Sequence, residues 1–125
     1  MEPAVLPGDF REASGARAAQ RLLAEPDLPD AVFAANDMMA LGCLSAFSAA
    51  GKTVPGDVAV AGFDDIPLAR YVPPGLTTIR VDIAALGADA MRRLLDADAG
   101  ESDRLRVPQL VVRASCGGLA TPDSS

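Results

Sequence analysis

Val58-Ala59-Val60-Ala61-Gly62-Phe63 is an unbroken apolar run, and it ends abruptly in two acids, Asp64-Asp65. Such a run, without alternation, reads as a strand buried on both faces, the pattern of a parallel sheet covered by helices. The same design recurs upstream. Ala31-Val32-Phe33-Ala34-Ala35 is a second buried-strand run, and polar residues, Asn36-Asp37, again follow it. Between the two, Met38, Leu41, Leu44 and Phe47 form an apolar helical pattern. Asn36 and Asp37 are good N-cap types for that helix, and Gly51 supplies its stop.

Working outward, Ala13, Ala16, Ala19 and Leu23 give an apolar stripe to a helix from about Arg11 to Ala24, ended by Pro26 and Pro29. Val5 and Leu6, ahead of Pro7-Gly8-Asp9, read as the tail of a strand. Downstream, a loop with Pro67, Pro73 and Pro74 leads to a strand at Leu76–Arg80. Asp82 then caps a helix reaching about Ala97. Its apolar face is Ile83, Leu86, Ala90 and Leu94, with Met91 and Leu95 beside it. Leu105–Arg113 reads as one or two last strands, interrupted at Pro108. The tail Cys116–Ser125, rich in Gly, Pro and Ser, is expected to be disordered. Strands alternating with helices predict an α/β fold with a mainly parallel sheet flanked by helices. No internal repeat is found.

Composition bounds the function. The 125 residues suit one small domain or part of a larger one, and a half-apolar, 22% charged chain is expected to be globular. No apolar run approaches the roughly 18–20 residues of a membrane span. The start, Met1-Glu2-Pro3-Ala4, has no signal-peptide character, so a cytoplasmic location and no membrane partner are expected. Acidic residues outnumber basic ones 17 to 11, for a net charge of −6. Lys52 is the only lysine, and Arg92, Arg93, Arg104 and Arg106 are too sparse for a phosphate footprint. This chain alone is not expected to bind DNA. Histidine is absent, which removes His triads, His-based zinc sites and imidazole acid–base chemistry. Cys43 and Cys116 form no CxxC, and Cys43 reads as a buried thiol. No enzyme activity, cofactor or metal is expected.

Two motifs need weighing. Ala46–Thr53 fits a relaxed phosphate-loop pattern ending in Gly51-Lys52-Thr53. That loop works when a strand feeds it and a helix N-terminus follows. Here a helix precedes it and a strand follows, so Gly51 reads as a helix C-cap. The second motif is the pair of polar strand ends. In parallel α/β sheets ligands bind beyond the carboxyl ends of the strands. Asn36 can donate and accept, and the Asp64 carboxylate can take two hydroxyl donors, which suits a polyhydroxylated ligand. For these two residues, capping is an equally good local reading. Asp37 and Asp65 are expected to cap helices or turns. Asp64-Asp65 lacks the further ligands of a metal cage. Phe10, at a loop-to-helix junction, reads from spacing alone as a core or staple residue before a stacking platform.

Taken in order, these segments resemble the lac repressor family of bacterial regulators. The resemblance is carried by Gly8-Asp9-Phe10 with Ser14-Gly15, by Pro29–Gly42, by Ala50–Val58 and by Val60–Asp65. It continues through Ala69-Arg70-Tyr71 and Pro74–Ile79, and covers roughly residues 8–113. It implies a partial periplasmic-binding-protein-like (type I) fold, the C-terminal part of an effector domain. In that family two α/β subdomains close on a sugar, nucleobase or related metabolite, and closure alters dimer geometry and operator affinity. By position, Phe10 would pack on the ligand ring while Asn36 and Asp64 hydrogen-bond it. Dimer contacts would fall on the helix containing Leu41 and near Tyr71. DNA would be read only through a helix-turn-helix absent from this chain.

On this resemblance residues 1–115 are the C-terminal portion of the effector domain and 116–125 a tail. The helix within residues 82–98 would cross back onto a first subdomain that the chain lacks. Its apolar face would then need another partner, through association or repacking. Such a half-cleft would bind effector poorly. A transport-associated periplasmic sugar-binding protein of the same fold is the alternative function. A small hydrolase using Asp64 is a third, with no partner base in view.

Overall fold

The apolar runs and helical stripes emerge as a small α/β assembly in the computed structural model, which describes residues 2–96 and 106–118. In chain order these are α1 (Glu12–Leu23), β1 (Ala31–Phe33), α2 (Asp37–Ala49), β2 (Ala59–Ala61), β3 (Thr78–Arg80), α3 (Ile83–Leu95) and β4 (Gln109–Val111). Short 3₁₀ turns lie at Pro67–Arg70 and Ala114–Cys116. β1 and β2 pair in parallel, Ala31 opposite Ala59 and Phe33 opposite Ala61. Parallel bridges from Ala61 to Thr77 and from Asp64 to Arg80 bring β3 alongside β2. β4 closes against β3 in the antiparallel sense, Thr78 opposite Val111. The α/β class with mainly parallel strands is therefore the observed one.

The core lies where α2 meets α1 on one side and β2 on the other. Phe47, Val58, Val60 and Leu76 are fully buried, with Ala19, Ala40 and Cys43 between them. Burying side chains such as Phe47 or Leu76 contributes about 1.5–3 kcal/mol each. The two helices cross closely because glycines face backbone at the crossing. A Cβ on Gly15 would strike the Met39 carbonyl, and one on Gly42 would strike that of Glu12. The Cys43 thiol, expected to be buried, donates to the Gly15 carbonyl at 3.3 Å, and burial pushes its pKa up to about 11.

Several expected elements need correction. Val5 and Leu6 are not in a strand, and Val5 is 87% exposed. β1 is shorter than Ala31–Ala35 and only half-buried, with Phe33 exposed. The reason is positional: among the described residues β1 pairs with β2 alone, and of its side chains Val32 packs on the core. β4 covers only the end of Leu105–Arg113, and Leu105 is outside the described residues. Of the tail expected to be disordered, Cys116–Gly118 are placed, closing the last turn at Gly117 (φ 75°). Residues 119–125 fall outside the described set, as does Ala97 at the end of the expected third helix.

α3 starts where Asp82 said it would, the Asp82 carboxylate accepting from the Ala85 amide at 2.9 Å. It contributes no buried residue to the core, and Ile83, Met91, Leu94 and Leu95 are all exposed. An ion pair from Arg106 to Asp89 ties the helix to the segment entering β4.

Candidate functional site

The carboxyl ends of β1 and β2 lie side by side. The Ala34 amide donates to the Ala61 carbonyl at 2.8 Å, and the Asp37 amide to that of Phe63 at 2.9 Å. Asn36 and Asp64 therefore leave the sheet as neighbours, as parallel topology requires of residues just past two adjacent strands.

Asn36 is the N-cap of α2, its Oδ1 accepting from the Met39 amide at 3.0 Å. Its Nδ2 donates to the Phe10 carbonyl at 2.8 Å, across 26 residues of sequence. Phe10 sits in the left-handed region, φ 66°, just before α1, and is 64% exposed. The core-or-staple reading of Phe10 is thus wrong: its strained backbone and tethered carbonyl hold it outside the core. The turn beside it is fixed by two further bonds. The Asp9 amide donates to Ser14 Oγ at 3.1 Å, and the Arg11 amide to Asp9 Oδ1 at 3.0 Å.

Asp64 also has a positive φ, 125°, and its amide donates to the Ile79 carbonyl at 2.9 Å. The residue is exposed. Partial burial, with the charge of Asp37 behind it, raises the pKa of its carboxyl.

Asp37 and Asp65 do different work from that expected. Asp37 is fully buried and does not cap α2. Its carboxylate accepts from Thr78 Oγ1 at 2.6 Å and from the Ile66 amide at 2.9 Å, bracing α2 against β3 and the loop after Asp65. Gly62 is needed for that approach, since a Cβ there would strike Asp37 Oδ1. Asp65 (φ 54°) takes Arg80 Nε at 2.6 Å and an Arg113 terminal nitrogen at 2.9 Å. Burial alone would raise the Asp65 carboxyl, but the two arginines hold it below the ordinary value. Sequence reasoning missed both, because the partners stand 41 and 48 residues away in the chain. The one available signal was two consecutive acids after a buried strand, too many for one cap.

Other expected residues fall elsewhere. Leu41 is half-buried on α2 and packs against the core, while Tyr71 is 75% exposed after the 3₁₀ turn. Gly51 (φ 72°) ends α2, and the Lys52 amide donates back to the Phe47 carbonyl at 2.9 Å. That is a helix end, so Gly51-Lys52-Thr53 is not a phosphate loop. A groove of about 410 Å³ lies along α1, lined by Leu6, Asp9, Ser14, Arg17 and Arg21 among others, and includes neither Asn36 nor Asp64. Among the described residues, no three His, Cys, Asp or Glu side chains gather as metal ligands, and no helix is long and apolar enough to cross a membrane.

Chemically, the strand ends offer an exposed ring, a carboxylate and a side-chain amide. The amide has one N–H and one lone pair beyond the two already used. This set can stack on a ring and bond its hydroxyls.

Residues 2–116 match the family model described as a periplasmic binding protein-like domain. The chain is 39% identical over 119 residues to the HTH-type transcriptional repressor PurR of Photobacterium profundum, covering 92% of this chain and 36% of that protein. Among solved structures it resembles the lac repressor dimer bound to operator and the anti-inducer ONPF. That match has a TM-score of 0.80 at 35% identity, over 87% of this chain and 39% of the repressor's. A LacI family transcriptional regulator from Enterococcus faecium with bound ribose matches with a TM-score of 0.78 at 29% identity, over 89% and 42% of the two chains. The chain thus spans about a third of the length of the PurR relative.

Proposed function

Because the chain belongs to the periplasmic binding protein-like domain family, and within it to the lac repressor family of regulators, we propose that it forms one wall of an effector cleft. In this reading Phe10, Asn36 and Asp64 contact a sugar or related small metabolite. Occupancy of the cleft modulates operator binding by the protein to which the wall contributes, and DNA is read by a helix-turn-helix outside residues 1–125. The domain is residues 1–115, and the helix in 82–98 packs on a first subdomain in that protein. It acts as a dimer, in the cytoplasm, through contacts at Leu41 and Tyr71, and catalyses no reaction.

One observation carries the reading: Asn36 and Asp64 emerge together at adjacent parallel strand ends, with Phe10 bonded to Asn36. The ribose bound to the Enterococcus relative supplies the ligand class. The relatives named above are transcriptional repressors or regulators, which favours this function over a transport-associated sugar-binding protein.

The test is a ribose titration followed by amide NMR, which detects the weak binding a single wall would give. Shifts should cluster at Phe10, Asn36 and Asp64, and Asp64→Asn should weaken binding about tenfold, the order of one lost charge-assisted hydrogen bond. Shifts confined to the α1 groove, or equal binding by the Asp64→Asn chain, would refute the assignment.

A further inference from the structure

Resting on that reading, we propose that Asn36 has a second role, as the positioning residue that holds the Phe10 ring out over the strand ends. Phe10 adopts a left-handed backbone conformation (φ 66°) that is sterically unfavourable for a bulky side chain. Such a conformation persists only where its surroundings over-determine it. Here the surroundings are explicit. On one side, Asp9 and Ser14 fix the turn through the bonds from the Asp9 and Arg11 amides. On the other, the Phe10 carbonyl accepts from Asn36 Nδ2 at 2.8 Å.

The Asn36 amide cannot easily turn away from this duty. Its Oδ1 is held by the Met39 amide at 3.0 Å, which orients the amide plane and aims Nδ2 at Phe10. The start of α2 therefore fixes the residue preceding α1, and does so with a side chain that stands at the strand end. An aromatic ring left 64% exposed would otherwise lower its free energy by folding back onto apolar surface. Held outward, it meets a flat ligand without a further ordering cost.

Asn36→Asp separates the two functions, because a carboxylate still caps α2 but cannot donate to the Phe10 carbonyl. The chain would be labelled with 4-fluorophenylalanine at its four phenylalanines, and the Phe10 signal identified with Phe10→Leu. The fluorine signal of Phe10 should move most of the way to its urea-denatured position in Asn36→Asp, while that of buried Phe47 stays in place. Asn36→Ser, a capping residue too short to reach Phe10, should do the same. In the unmodified chain, the Asn36 side-chain amide protons should show a nuclear Overhauser contact to Phe10 Hα and slowed solvent exchange. A Phe10 signal unmoved in both variants, or no such contact in the unmodified chain, overturns the proposal. Added ribose separates it from the ligand reading. If ribose moves no resonance yet Asn36→Asp still frees the ring, the ligand assignment falls and the positioning role stands. If ribose binds and the ring never moves, the positioning role falls alone.

Discussion

Asp64 and Asp65 are chemically identical neighbours at the end of one strand, yet their environments push them apart. The Asp64 carboxyl is raised by partial burial and the nearby Asp37, whereas Asp65 is held low by Arg80 and Arg113 despite its burial. A carboxyl with a depressed folded-state pKa contributes stability that is complete above its unfolded value, and that stability is lost as pH falls through the folded value. Asp65 therefore stabilises the fold at neutral pH, and the contribution disappears below the ordinary aspartate value of 3.8. Asp65→Asn should cost about 3 kcal/mol at pH 7, the lower end for breaking a buried pair because Arg80 is partly exposed. It should also flatten the acid limb of a denaturation series. An unchanged limb would mean that the clamp contributes nothing. At this scale the sequence discloses types and not partners. Asn36 is legible as a cap because its partner amide lies three residues on. The role of Asp37 is not legible, because Thr78, its partner, lies in another element.

The helices are more legible than the strands, for a physical reason. An amphipathic period over a dozen residues announces itself, and α1, α2 and α3 all lie within a residue or two of the expected bounds. A short apolar run announces burial without saying on which side, so Ala31–Ala35 reads as buried on both faces although β1 is covered on one. The crossing of α1 and α2 depends on Gly15 and Gly42, whose missing side chains let backbone meet backbone. Gly42→Ala would gain about 1 kcal/mol of helix propensity but must force the helices apart. Overpacking of this kind costs about 1–3 kcal/mol. The expected net loss in a urea melt is about 0–2 kcal/mol, the overpacking cost less the propensity gain. A stabilised Gly42→Ala chain would show that the crossing has slack.

At the scale of the whole molecule, the exposed apolar groups of the described residues include Tyr71 beyond the 3₁₀ turn and the face of α3, with Leu94 81% exposed. The family reading assigns self-association to the Leu41–Tyr71 side. Sedimentation velocity across a concentration series should show a dimer that Tyr71→Ala dissociates, with Leu94→Glu leaving it intact. The reverse pattern would move the contact to α3 and remove Tyr71 from the interface. The class of the fold is readable from the order of runs, because strand, helix and strand in alternation leave few topologies. The closure of the sheet by Thr77, Arg113 and Ser115 is not, since it is written in single polar side chains.

That closure has a consequence for the order in which a ribosome delivers the chain. Phe10, Asn36 and Asp64 are all made early, but what braces Asp37 and Asp65, the acids beside the last two, comes late. Thr78 must arrive before Asp37 is satisfied. Arg113 must follow before Asp65 is clamped, and Ser115 Oγ before the Val60 carbonyl is bonded at 2.6 Å. At about 5–20 residues per second, the nascent chain carries Asp64 for several seconds before the Arg113 clamp on its neighbour Asp65 can close. The proposed wall is thus completed late in synthesis, and a stalled polypeptide ending short of Arg113 would display Asp64 without the clamp on Asp65 beside it.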